Sequence, residues 1–275
     1  AGLADCYALI SFFSTVPPRD SFPKLLAAAS KAIQLDDTLA EAHTALAYYK
    51  MHYKWDWAGG EREHRRALEL NPGYAIGHQR YALYFMAVGR LEEAIQEVER
   101  AQELDPVSLI ITTNVGIAYV CARRYDEAIE QYRKALALDP NFGQARNTLG
   151  IVYLLKSMYT EAIAELQTAV EQMQRSPHAV SFLGLAYARS GNRVAARQVL
   201  ERMMAERSRL GYYPASRIAL VYMGLGEMDR AFEWFGKAVE EHDFGLFAFK
   251  TYPVYDPLRS DPRYTALLRR MNLAP

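Results

Sequence analysis

One spacing constrains this chain more than any other feature: a step of 34 residues shared by several residue types. Pro72, Pro106 and Pro140 are 34 apart, as are Gly116, Gly150 and Gly184. Tyr119, Tyr153 and Tyr187 keep the same step, and Tyr222 follows 35 later. Ala94, Ala128, Ala162 and Ala196 form one alanine ladder at 34, and Ala67, Ala101, Ala135 and Ala169 form another. A period of this length excludes a single irregular core and demands a stack of similar supersecondary units.

Each unit reads as two helices. Ile111, Val115, Ala118 and Tyr119 recur at helical spacing, and Arg123-Arg124-Tyr125-Asp126 then supplies a short polar turn. Ala128, Tyr132 and Ala135 lie on one face of the segment that follows. The apolar period is 3.6 rather than 2, which argues against strands. Asp139-Pro140 closes the unit, because a proline pushes the residue before it out of the helical region. The small residues set the helix separation, about 8–10 Å and dependent on the side chains at the crossing. Gly116, Gly150 and Gly184 admit the partner helix from one side and Ala94, Ala128 and Ala162 from the other. The tyrosines then fill the space between neighbouring hairpins.

The pattern Leu149-Gly150, Tyr153, Tyr159, Ala162, Leu166 and Ala169 resembles the tetratricopeptide repeat (TPR). Val115-Gly116, Tyr119, Tyr125, Ala128, Tyr132, Ala135 and Pro140 resemble it equally. The resemblance covers nearly the whole chain and implies an all-α fold, a right-handed α-solenoid of helical hairpins. The expected units are 41–74, 75–108, 109–142, 143–176, 177–211 and 212–245, after a degenerate partial repeat at 1–40. In that first unit Ala1–Tyr7 reads as the late part of a first helix, which points to a fragment, and Phe22–Asp36 reads as its second helix. Ala1–Phe13 lacks a basic leader, so no signal peptide is read there.

Departures from the pattern are local. The 41–74 unit carries one extra residue, expected in its turn Trp55-Asp56-Trp57, and has Lys50 where an aromatic belongs. The 177–211 unit lacks the closing proline and has a longer second helix. Residues 246–275 leave the register and are expected to form a C-terminal cap, with Asp261 capping a final helix and Pro262 at its first position. Phe244, Phe247, Phe249, Tyr252 and Tyr255 would pack on the last repeat. The phrase Asp256-Pro257-Leu258-Arg259-Ser260-Asp261-Pro262 is similar to the tail of TPR arrays in large bacterial regulators.

Chemistry is sparse. The six histidines form no ligand spacing, so no metal is expected, and no cofactor motif is present. Cys6 and Cys121 stand 115 apart, neither a disulfide framework nor a zinc pattern. Lys+Arg and Asp+Glu are both 32, so nothing global draws the chain to nucleic acid. No apolar run is long enough to span a bilayer. The expectation is a non-enzymatic protein without cofactor, metal or catalytic residues. It would be cytoplasmic, or periplasmic if it belongs to a longer anchored chain.

What remains is the concave groove that, in the family, the first helix of every repeat lines. Carried onto this sequence, the resemblance assigns it Tyr48, Arg80, Leu83, Met86, Asn114, Ile117, Asn147, Ile151, Leu154, Leu185, Arg217 and Leu220. The row Tyr48, Leu83, Ile117, Ile151, Leu185 and Leu220 is apolar throughout, and exposed apolar surface of that extent has a use. The expected function is a scaffold that binds an apolar or amphipathic protein or peptide segment there, with Arg80, Asn114, Asn147 and Arg217 fixing its polarity. The alternative is a regulatory domain of a longer bacterial signalling protein whose groove is engaged intramolecularly. A homo-oligomer through the solenoid ends is a further expectation. Asn114 matches one asparagine of the carboxylate clamp known in the family, but its neighbours Gln79, Leu83, Gln144 and Thr148 do not complete it.

Overall fold

A computed structural model describes residues 1–13 and 15–273, with side chains for 1–10 and 15–273. Ser14 of the partial first unit, and Ala274 and Pro275 of the expected cap, lie outside the described residues. These residues form fifteen α-helices and two 3-10 turns, with no strand among them. The helices are α1 (Gly2–Phe13), α2 (Pro18–Leu35), α3 (Ala40–Lys54), α4 (Trp57–Leu70), α5 (Ala75–Val88) and α6 (Leu91–Leu104). The series continues with α7 (Leu109–Cys121), α8 (Tyr125–Leu138), α9 (Gly143–Leu155), α10 (Tyr159–Gln172), α11 (Pro177–Arg189) and α12 (Arg193–Leu210). It closes with α13 (Ala215–Gly224), α14 (Met228–Glu240) and, after the 3-10 turns Phe244–Leu246 and Pro253–Leu258, α15 (Pro262–Arg270).

Consecutive helices pair as hairpins from α1–α2 to α13–α14, and the first helices of neighbouring hairpins touch one another along the stack. The close approach inside each hairpin has the cause expected from its small residues. A Cβ on Gly116 would stand 2.3 Å from the Tyr132 ring, and one on Gly150 would stand 2.7 Å from Leu166 Cγ. Ala94, Ala128 and Ala162 are fully buried. The repeated tyrosines bridge hairpins: Tyr119 Oη donates to Glu99 at 2.6 Å, and Tyr187 Oη accepts from Gln167 at 2.9 Å.

The turn between the two helices of a hairpin repeats a backbone state as well as a sequence. Residues 55, 89, 123, 157, 191 and 226 all have positive φ, one in each hairpin from α3–α4 to α13–α14. Glycine takes the position at Gly89, Gly191 and Gly226, where the left-handed region carries no Cβ penalty. Trp55, Arg123 and Ser157 accept the penalty. For Arg123 the return is visible, since its guanidinium forks onto both oxygens of Asp256 at 2.6 and 3.0 Å.

Two local readings shift, and the longer α12 and the cap of α15 stand as read from the sequence. The extra residue of the 41–74 unit sits in the last turn of α3, not in the connection. Asp56 N–H reaches back six residues to Lys50 O, where Arg90 and Arg124 reach back five to Phe85 and Tyr119. α2 begins at Pro18, four residues before Phe22, because a proline at the first helical position gives up an N–H that would be unpaired there. The longer α12 ends where Gly211 turns left-handed at φ 75°. Asp261 caps α15 by accepting from Arg263 N–H, with Pro262 at the first helical position.

The largest departure concerns the chain after α14. Phe249 packs on Phe235 of the last hairpin with ring centroids 5.2 Å apart, as its place in the sequence implies. The segment then continues into the concave side of the stack. Thr251 Oγ1 donates to Met86 O at 2.7 Å, 165 residues away in the chain. Arg189 donates to Val254 O at 3.5 Å, and Asp256 holds Arg123. The chain end reaches the first full hairpin: Trp57 Nε1 donates to Met271 O at 2.8 Å, and Asn272 donates to Trp55 O at 3.4 Å. Trp55 and Trp57 are therefore joints that close the two ends of the array, and His242 lies 4.5 Å from the Trp55 ring.

Candidate functional site: a concave face filled from within

Because the first helices line the inside of the curve, the site is built from α1, α3, α5, α7, α9, α11 and α13. The returning segment supplies the opposite wall. Leu246, Ala248, Phe249, Tyr252, Val254, Tyr255 and Leu258 share one continuous core with Met86, Ile151, Leu154, Leu185 and Leu220. The apolar rows of the expected groove are thus largely interior. Ile151 and Leu154 are each 1% exposed, and Met86, Leu185 and Leu220 are closed off entirely. Leu185 also packs helix to helix, for a Cβ on Gly224 would stand 2.7 Å from its Cδ1. Asn147 is completely buried, and neither its amide oxygen nor its nitrogen has a hydrogen-bond partner among the described residues.

The expectation that these six residues face an open groove is therefore corrected. The physical reason is area. A bare inner face would leave the whole apolar row in water, and burying it returns about 25 cal/mol per Å². The chain's own aromatic tail joins the core that does so.

The other six expected site residues do meet in one place. Tyr48, Arg80, Leu83, Asn114, Ile117 and Arg217 line a cavity of about 380 Å³ between the helices and the returning segment. Asp5, Ala8 and Leu9 of α1 line it too, with Ile76, Ile110 and Gln144. Phe182, Phe244, Tyr252 and Tyr255 are its buried aromatic lining. Leu83 and Ile117 are half-buried there, as are Ile76 and Ile110. Asn114 and Arg217 are buried.

Charge in the cavity is unevenly satisfied. Arg80 Nη1 donates to Asp5 at 2.6 Å, pinning α1 to α5, and its guanidinium lies 5.8 Å from the Tyr48 ring centroid. The Tyr48 ring stacks on Phe244 at 5.8 Å. Residues 113, 147, 181 and 216, one per repeat, are small buried polar groups on the same helices. The α1 contribution and the tail residues escaped sequence reasoning. One signal for the tail was available: Phe244 to Tyr255 holds five aromatic residues in twelve, with one lysine and no carboxylate, and such a composition has no place on a solvated cap.

Elsewhere the titratable groups serve the fold. His43 Nδ1 meets Glu63 at 2.8 Å, and His78 Nδ1 meets Glu97 at 2.6 Å, the same cross-hairpin pair in successive repeats. His52 and His64 are buried, and burial lowers both to about 3. His178 is likewise held well below its usual range by burial and by the nearby Arg217 charge. Burial pushes the Cys121 thiol up to about 12, and it faces Thr251. Among the described residues no group of three His, Cys, Asp or Glu could hold a metal ion, and no helix is long and apolar enough to cross a membrane.

Neutral buried histidines give a pH prediction. Their folded values lie below the unfolded value of about 6.5, so the unfolded state takes up more protons as pH falls. The stability is complete above pH 6.5 and is lost progressively from there toward pH 3. At pH 5 His52 and His64 should each cost about 2 kcal/mol, at about 1.4 kcal/mol per pH unit. His78 works in the opposite sense: although burial opposes its charge, the Glu97 hydrogen bond raises it, which offsets part of the loss. Melting followed between pH 7 and 5 should show the drop, and His64→Gln should flatten it. A Tm constant over that range would mean the imidazoles are not buried neutral.

Comparison with known proteins agrees with this geometry. A family profile described as a TPR repeat matches residues 123–157, and one described as the tetratricopeptide repeat matches 77–108 and 216–241. No curated protein sequence matches. Among solved structures, PilW, a type IV pilus biogenesis factor, superposes with a TM-score of 0.58 at 16% identity, covering 82% of this chain and 99% of that one. Human IFIT1, solved as a dimer with m7Gppp-AAAA, gives 0.62 at 18% identity over 92% of this chain and 65% of its own. The Cut9–Hcn1 assembly gives 0.63 at 16% identity over 98% of this chain and 52% of that one. At these identities the likeness is one of fold. With the 34-residue register, the hairpin stack and the repeat profiles in agreement, the chain is an all-helical stack that carries tetratricopeptide repeats.

Proposed function

We propose that this chain is a non-enzymatic protein-interaction scaffold that holds apolar segments on its concave face. One such segment is its own, residues 244–258. A second, from a partner protein, lies across the half-exposed strip of Ile76, Leu83, Ile110 and Ile117. The observation that carries this reading is the self-occupancy of the face: an irregular aromatic stretch already sits against the first helices, anchored by Thr251 on Met86 O. The same feature agrees with an inner surface engaged intramolecularly, as in a regulatory domain of a longer chain. The strip at the mouth continues that surface and carries the same side-chain chemistry.

The test compares Leu83→Glu and Ile117→Glu with wild type in affinity capture, with Val107→Glu, 72% exposed outside the strip, as control. Each aliphatic buried by a partner contributes about 1.5–3 kcal/mol, so both strip variants should bind at least tenfold more weakly. Both should still melt cooperatively, since their side chains can turn toward solvent. A partner held equally by wild type and by both strip variants would place the interface elsewhere.

A further inference from the structure

The floor of the cavity holds a cation that the fold leaves unpaired. Arg217, on α13, is 6% exposed, and among the described residues its guanidinium makes no hydrogen bond and no ion pair. The other arginines around the concave face are engaged: Arg80 by Asp5, Arg123 by Asp256 and Arg189 by Val254 O. Asp243 lies close in the chain fold but spends its two carboxylate oxygens on the backbone N–H groups of Ser216 and Gly245, both at 2.8 Å. The main chain of the returning segment runs against the guanidinium, where a Cβ on Gly245 would stand 3.1 Å from Arg217 Cζ. Arg217 lines the cavity together with Phe182, Tyr252 and Tyr255.

A buried, unpaired charge costs stability, and an anion delivered to it recovers that cost with a charge-assisted bond. A guanidinium matches a carboxylate in shape and offers it two parallel N–H donors. The rest of the cavity is aromatic and aliphatic, and the one other arginine in it is already neutralised. A phosphate dianion would therefore lack a second free cation. The volume, about 380 Å³, is at the small end of the range of about 300–1,000 Å³ that holds compact organic ligands. We propose that this cavity binds a small organic carboxylate with an apolar body, its carboxylate on Arg217 and its body directed along Phe182 toward Leu83 and Ile117. This site is distinct in kind from the protein strip at the mouth, and it is tested with purified components, so either reading can fail alone.

Calorimetric titration of the full chain with octanoate, octanol, octyl phosphate and an acetylated Leu-Leu-Phe tripeptide acid decides the matter. Octanoate should bind wild type at least tenfold more tightly than octanol and should raise its Tm. In Arg217→Gln and Arg217→Met that preference should vanish, while Arg217→Lys keeps it at reduced affinity. Free Arg217→Met should melt no lower than wild type, because it removes a charge with no partner. Equal affinity of wild type for octanoate and octanol, or no binding of either, overturns the proposal and needs no variant. Tighter binding of octyl phosphate overturns the carboxylate assignment, and tighter binding of the tripeptide overturns the small-molecule one. An Arg217→Met protein that melts well below wild type would show that the guanidinium serves the fold.

Discussion

Truncation after Glu241 is expected to unfold the middle repeats, far from the cut. Solenoid caps ordinarily protect one end, so their loss frays the adjacent repeat first. Here the removed residues include Leu246, Phe249, Val254, Tyr255 and Leu258, all buried in the core shared with α5 to α13. Each such side chain contributes about 1.5–3 kcal/mol by burial, against a total stability of about 5–15 kcal/mol for a whole domain. The loss of five is comparable to that whole stability, and it opens the core they share with Met86, Ile151 and Leu154. Hydrogen exchange should report it directly: amides of α7 and α9 should lose protection together with those of α13. If the truncated chain keeps protected α7 and α9 amides and loses only α13 and α14, the tail is an ordinary cap.

The second large effect is expected from Ile151→Glu and Leu154→Glu. In an open groove both would fold normally and simply lose a ligand. Under the returning segment each would bury a carboxylate without a partner, which costs several kcal/mol even after neutralisation by protonation. Both proteins should therefore lose their cooperative melt at neutral pH or show it only at much lower temperature. Leu155→Glu, one residue on and half-buried, should melt near wild type. Circular dichroism melts of the three side by side separate the cases. Normal melting of Ile151→Glu and Leu154→Glu would restore the open groove.

The contrast between these residues and the six that do line the cavity marks how far sequence reasoning reaches. Register placed all twelve on the first helices, and on the side turned away from the hairpin partner. It placed Arg80, Asn114 and Arg217 on one line, since 80, 114 and 217 differ by one and three further repeats. It did not reveal that Arg80 meets Asp5 across 75 residues while Arg217 meets nothing charged. Pairing across such distances depends on how far the stack curves, and a small rotation per hairpin, summed over the array, is not written in any one repeat.

The sequence by itself determined the unit and its stacking: the helical period, the turn at each left-handed position, and the glycine and alanine crossings. These are local matters, decided within 34 residues by sterics and by burial of one helix stripe on the next. It also located the cap of α15 at Asp261-Pro262 from backbone chemistry alone. Only the tertiary structure decided where the aromatic tail goes. An apolar stretch that has left the register can cover the end of the stack or its inside, and both would bury its side chains. The inside prevails because it also joins the core of the first-helix rows, satisfies Met86 O through Thr251, pairs Arg123 with Asp256 and ties Met271 to Trp57, contacts between 133 and 214 residues apart that exist only once the array has curved round on itself.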